Sequence, residues 1–186
     1  MKELLFATTN DEKFAAAKAV LETHGIKVTQ LDLDIDEIQG EDSVKIALDK
    51  SVKAYQKAGQ PVVITDDSWA YHGLGGFPGA YMHAVNEWFS RDIWNKIAKI
   101  VTDRSITLTQ HLVYYDGTTQ KLFTANINGK FIEEPRGDSV HPSLCLAVMD
   151  GDDGLTVAEA LSTAKKRDER AVAKVWQQFA AWFVTL

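Results

Sequence analysis

Apolar positions change their spacing repeatedly along the first third of the chain, and each change marks an element. Lys2 to Ala7 reads as a first strand. Asn10 then suits a helix N-cap, and Phe14, Ala17, Val20 and Leu21 recur at helical spacing up to a stop at Gly25. Leu31, Leu33 and Ile35 alternate with Asp32, Asp34 and Asp36, the period of a strand with one buried and one wet face, leading to Glu37. Val44, Ala47, Leu48, Ser51, Val52 and Tyr55 define one stripe of a second helix, with Lys45, Asp49, Lys53 and Lys57 off it. Val62, Val63 and Ile64 do not alternate, which predicts a strand buried on both faces that stops on Asp66 and Asp67.

The later pattern is mixed. A helix is predicted near Asn86 to Val101, with Phe89, Ile93, Ile97 and Ile100 on one side and Trp88 and Trp94 thickening that apolar surface. Ser105 to Tyr115 and Thr119 to Asn128 predict two strands of an antiparallel hairpin turning at Asp116-Gly117. Leu144 to Met149 is a further strand candidate, and a last helix starting near Asp168 carries Val172, Val175, Trp176, Phe179 and Phe183. Alternating strands and helices followed by a hairpin give an α/β fold, with a mixed central sheet flanked by helices in one domain over residues 1–186.

Composition narrows the function classes. The chain has 186 residues, no low-complexity linker and a net charge of −6, which argues against nonspecific binding of a nucleic-acid polymer. Its apolar segments are too short and interrupted to span a bilayer, and the amino terminus shows no basic, apolar leader, so a cytoplasmic address is the expectation. Cys145 is the single cysteine, which excludes an intramolecular disulfide and a cysteine-based metal cluster. A polyanionic substrate would need local positive charge on this acidic protein.

Three segments supply candidate chemistry. Adjacent Asp66 and Asp67 repel, and at the carboxyl end of a strand, where open α/β sheets bind ligands, a divalent cation would relieve them. Glu37 offers a third oxygen ligand, and magnesium is served by one or two carboxylates together with substrate phosphate. Thr8, Thr9, Asn10 and Lys13 stand at a strand-to-helix junction, where free N–H groups and the helix dipole attract phosphate; Asp11 and Glu12 leave plain helix capping as an open alternative. Lys50 projects from the flank of the second helix, while Lys53 and Lys57 read as a solvated edge. Arg136 beside Gly137, and Arg170 at the start of the last helix, suit bidentate phosphate contacts; Lys165, Lys166 and Arg167 read as a solubilising run.

In this linear order the residues resemble the inosine triphosphate pyrophosphatase family. Ala7-Thr8, Asn10 and Lys13 are similar to its amino-terminal Thr-Gly-Asn-x-x-Lys pattern, and Glu37-Ile-Gln-Gly-Glu41 to its acidic segment. Asp66-Asp67-Ser68 with Leu74-Gly-Gly-Phe-Pro-Gly79 resemble its central signature, and Pro135-Arg136-Gly137 a later one. The resemblance implies a two-lobed fold with a nucleotide cleft, a homodimer, and hydrolysis of (deoxy)nucleoside triphosphates of nonstandard purines (ITP, dITP, XTP) to monophosphate and pyrophosphate. It implies Mg2+ held by Glu37, Asp66 and Asp67, with Asp67 activating water. Lys13 and Lys50 would neutralise the triphosphate, and Thr8, Thr9, Asn10, Ser68, Arg136 and Arg170 would bind it.

The chain departs from the family mainly where the base is read. Thr9 stands in place of a glycine, and Trp69-Ala70 in place of a small-then-aliphatic pair. Asp138-Ser-Val-His-Pro-Ser143 keeps only a proline of the aromatic Phe-Gly-Tyr/Trp-Asp-Pro segment, and Glu169 stands where Ser-His-Arg has its histidine. His141, Trp69, Tyr71 and Tyr81 are candidate substitutes. Two alternatives stay open: the same phosphate chemistry on another base, and a catalytically silent nucleotide-binding homodimer.

Overall fold

The structure is a computed structural model that describes residues 2–163 and 171–186. Its elements are β1 (Lys2–Ala7), α1 (Asp11–Thr23), β2 (Ile26–Leu31), α2 (Ser43–Ala58), β3 (Val62–Tyr71), β4 (Pro78–Gly79), α3 (Met82–Trp88), α4 (Arg91–Ile100), β5 (Ser105–Tyr115), β6 (Gln120–Phe131), β7 (Ala147–Met149), α5 (Val157–Ser162) and α6 (Lys174–Phe183). The strands hydrogen-bond in the order β2-β1-β3-β5-β6-β7, with β4 on β3. The sheet is mixed, because β1 runs parallel to β2 and β3 while β4 pairs antiparallel to β3 and β7 to β6. The chain forms two compact units. One takes the described residues of Met1–Asp67, Gln110–Ala125 and Lys166–Leu186, the other those of Ser68–Thr109 and Asn126–Lys165.

In the first unit the unbroken run of β3 does what its pattern predicts. Val63 belongs to a core with Leu4, Phe6, Val20, Leu21, Trp176 and Phe179, and Val62 and Ile64 to another with Ala47, Ala54 and Val113. Helix α6 buries Val175, Trp176, Phe179 and Phe183 as its spacing requires, and Phe6 meets Trp176 edge-on at 4.9 Å. Helix α2 ends on Gly59 in the left-handed region (φ 67°), its N–H bonding Tyr55 O. Between β5 and β6, the Asp116 carboxylate accepts from the N–H groups of Thr118 and Thr119, closing the expected hairpin.

The segment expected to be a strand through Ile35 is shorter. β2 ends at Leu31, and residues 32–39 belong to no strand. The burial alternation nevertheless persists: Leu33 and Ile35 pack against the α2 side of the sheet while Asp32, Asp34 and Asp36 are exposed. β3 is longer than expected and carries Asp66 and Asp67 within it rather than at its end.

In the second unit, the helix expected over residues 86–101 is two helices. Phe89 turns extended and Ser90 caps α4, its hydroxyl accepting from Ile93 N–H at 3.4 Å. The restart rotates the buried stripe onto Trp94 and Ala98, followed by Val101, leaving Ile93 and Ile100 exposed. Trp94 packs with Tyr71, Phe89 and Phe131, whereas Trp88 is 70% exposed. The strand expected over residues 144–149 is a tight turn at Pro142–Cys145 followed by the short β7. The start expected for the last helix at Asp168 lies outside the described residues.

Candidate functional site

The first unit gathers most of the expected charged side chains, and strand geometry explains how. β1 pairs with β3 through Phe6↔Val63, and Asp66 and Asp67 lie three and four residues beyond Val63, past the last pairing with β1. The logic of a carboxyl-terminal edge therefore holds even though β3 continues, because its parallel neighbour has turned away into α1. Successive side chains of a strand point to opposite faces. Asp66 follows Ile64 onto the α2 side, and Asp67 follows Val63 onto the α1 side.

Each face provides a lysine. Lys13 Nζ lies 2.9 Å from Asp67 Oδ2, with about a third of the lysine side chain exposed (33%). Desolvation lowers the Lys13 pKa, but Asp67, then Asp66 and Glu37, outweigh it and leave it raised, so this lysine is charged throughout the neutral range. On the other side Lys50 is ion-paired with Glu37. Glu37 keeps the period-two parity of Leu33 and Ile35 but is itself exposed, so its carboxylate meets Lys50 at the rim rather than in the interior. Among the described residues Asp66 has no ion pair so close: burial raises its pKa, Lys50 and then Lys13 lower it, and Glu37 and Asp67 raise it further.

Among the described residues no three His, Cys, Asp or Glu side chains converge to hold a metal ion. Opposite orientation of adjacent Asp66 and Asp67 is the physical reason. The carboxylates still feel one another, and as hard oxygen donors in excess over two ammonium groups they fit a divalent cation that completes its shell with phosphate oxygens.

At the start of α1 the capping alternative is realised. Asn10 Oδ1 accepts from Lys13 N–H at 2.9 Å, and Thr8 Oγ1 accepts from Asn10 N–H at 3.1 Å. This cap aims the first turn, and with it the Lys13 stem, at the Asp67 face. Thr9 is exposed beside it. Ser68 follows Asp67 in β3 and is half-buried. Arg136 is held within the second unit, donating to Gly154 O at 2.6 Å and lying 3.6 Å from Glu159. Arg170 lies outside the described residues.

Two residues of β5 were missed. Gln110 Nε2 donates to Asp67 Oδ1 at 3.5 Å. Buried His111 bonds Ser43 Oγ at 3.0 Å through Nε2 and Thr124 Oγ1 at 2.9 Å through Nδ1, tying the first turn of α2 to the hairpin. Burial lowers the His111 pKa, against the opposing pull of Asp67 and Asp42. The available signal was the break in alternation after Ile106 and Leu108, where adjacent polar residues interrupt an otherwise apolar strand. Lys53 and Lys57 also differ from a purely solvated edge, since both donate to backbone carbonyls of the acidic segment.

The Ham1 family model matches residues 4–142, which contain all of these first-unit groups. The chain belongs to the Ham1 family. It is 30% identical over 182 residues to a dITP/XTP pyrophosphatase of Methanopyrus kandleri, covering 97% of this chain and 96% of the relative. It is likewise 30% identical to an inosine triphosphate pyrophosphatase of Aspergillus oryzae, with 97% and 93% covered. A solved Ham1 protein from Coxiella burnetii superposes over 100% of both chains with a TM-score of 0.78 at 18% identity, and one from Staphylococcus aureus over 99% of both with 0.75 at 17%. These structures establish that the Ham1 fold is shared.

Proposed function

We propose that the chain hydrolyses nucleoside triphosphates of deaminated purines, such as ITP, dITP and XTP, to the monophosphate and pyrophosphate. The observation that carries this reading is the paired arrangement Lys13–Asp67 and Lys50–Glu37 flanking the half-buried Asp66, whose pKa stays raised although Lys50 and Lys13 pull it down. The names of relatives matched along nearly the whole chain support the same substrate class.

Water adds to the α-phosphorus while the bond to the α–β bridging oxygen breaks, and that oxygen leaves with pyrophosphate. The entering triphosphate brings phosphate oxygens that compete for Lys13 and Lys50, which releases Asp67 and Glu37 from their ion pairs. Asp67, freed from Lys13 and oriented by Gln110, holds the attacking water and takes its proton. Thr8, Thr9, Asn10 and Ser68 orient the phosphate chain, and the start of α1 favours its charge. Arg136 and Arg170 are assigned to the substrate on the resemblance alone. Glu37, Asp66 and Asp67 are the carboxylates that would hold a magnesium ion, which would supply further charge neutralisation at the phosphoryl oxygens.

Purified protein supplied with magnesium and ITP should release IMP and pyrophosphate in equal amounts. Asp67→Asn should reduce kcat by about 10²–10⁴-fold, the usual contribution of a positioned base. Undiminished turnover in a folded Asp67→Asn protein would remove Asp67 from the chemistry. A second reading, the same reaction on another base, is favoured by the altered segment Asp138–Ser143. A homodimer in the cytoplasm, with no membrane or nucleic-acid partner, completes the proposal. Among the described residues no helix is long and apolar enough to cross a membrane.

A further inference from the structure

Lys50, Lys53 and Lys57 recur on α2 at i, i+3 and i+7, so they share one face of the helix. All three reach the same acidic segment. Lys50 pairs with the Glu37 carboxylate, Lys53 Nζ donates to Asp36 O at 2.7 Å, and Lys57 Nζ donates to Asp34 O. Residues 32–39 have no ladder partner among the described residues, so the lysines satisfy backbone acceptors that a neighbouring strand would otherwise engage. The accepting carbonyls come from alternate residues, as one edge of an extended chain presents them. Ile35, between them, and Leu33, just before them, pack inward. Lys53 is itself steadied by Asp49 one turn earlier, at 2.8 Å.

Apolar packing of Leu33 and Ile35 fixes which face of the segment is buried, but it does not fix how far the segment slides along α2. Hydrogen bonds to two specified carbonyls do. We propose that Lys53 and Lys57 are positioning residues that set the placement of the 34–37 segment on α2, and so carry the Glu37 carboxylate to Lys50 and the Asp66 side of the site. The functional half of this inference rests on the reading of Glu37 as a group that holds the metal.

The test compares the wild type with Lys53→Met, Lys57→Met and the double variant, which keep an apolar stem and remove the ammonium group. Backbone amide relaxation measured by NMR in the free protein should show increased motion at residues 34–38 while β3 stays ordered. In turnover assays the magnesium concentration for half-maximal rate should rise by about tenfold or more, the lower end of losses seen when an outer partner of a ligating group is removed, with kcat at saturating metal largely kept. Lys53→Arg should restore both readouts. Unchanged relaxation at residues 34–38 would overturn the proposal, as would increased motion with an unmoved metal requirement. Glu37→Gln separates the two layers: if it too leaves the metal requirement unmoved, the reading of Glu37 fails and the functional half falls with it, while relaxation still decides whether the lysines hold the segment.

Discussion

Burial raises the Asp66 carboxyl above its ordinary range; Lys50 and then Lys13 pull it back, and Glu37 and Asp67 push it up again. A raised carboxylate binds its proton more tightly in the native state than in the unfolded chain. Its contribution to stability is therefore full below the ordinary carboxylate pKa and is lost as pH rises through the native one. At neutral pH the ionised group is a penalty, so Asp66→Asn should raise the melting temperature of the metal-free protein near pH 7 while lowering turnover, and thermal scans beside initial-rate assays will check both. His111 works in the opposite sense: its pKa is depressed by burial, so its contribution is present above the ordinary imidazole value of about 6.5 and is lost as pH falls through the native pKa. His111→Gln should flatten the acid limb of stability, measured as the urea midpoint against pH. An unchanged acid limb would assign that loss to other groups.

Single elements show how far local pattern reaches. Alternation over residues 31–37 determines which side chains face α2 without producing a strand, because period two specifies faces whereas a strand also needs a partner edge. In α4 the expected stripe fails for a different reason: Ser90 restarts the helix, and the large indole of Trp94 takes the inward position that Ile93 would have filled. The hairpin turn is tightly specified. Gly117 has φ 92°, and a Cβ there would run into the ring of Tyr55, which packs edge-on against Tyr115 at 5.2 Å. Gly117→Ala should destabilise the protein by about 1–3 kcal/mol, through backbone strain and overpacking together. That loss is to be read from a shift of the urea midpoint at constant m-value.

At the scale of the whole molecule, a net charge of −6 coexists with a site that concentrates lysines against carboxylates. The local pairing, not the overall charge, equips it for a polyanion. The Ham1 family match covers residues 4–142, which include Lys13, Glu37, Lys50, Asp66 and Asp67, whereas the departures fall mainly in the segments that the resemblance assigns to the base. A turnover panel of ITP, XTP, dITP, ATP, GTP and pyrimidine triphosphates should show preference for the deaminated purines, and preference for another base would select the second reading. Sedimentation equilibrium should return twice the chain mass for the proposed homodimer; a monomer would leave exposed Trp88 without that explanation.

The amino-acid sequence by itself determined the α/β class, the doubly buried run of β3, the Asn10 cap, the hairpin at Asp116-Gly117 and the apolar stripe of α6. Each follows from local spacing or from the conformational preference of one or two residues. Lys13, Glu37, Lys50, Asp66 and Asp67 were legible as chemistry-bearing residues, yet their pairing was not. Which lysine meets which carboxylate depends on where β1 leaves the sheet and which face of β3 each acid takes, and both are set by packing between segments distant in sequence. Gln110, His111, Lys53 and Lys57 became visible only through tertiary structure, because a polar residue in a strand or on a helix edge acquires its role from the group placed opposite it.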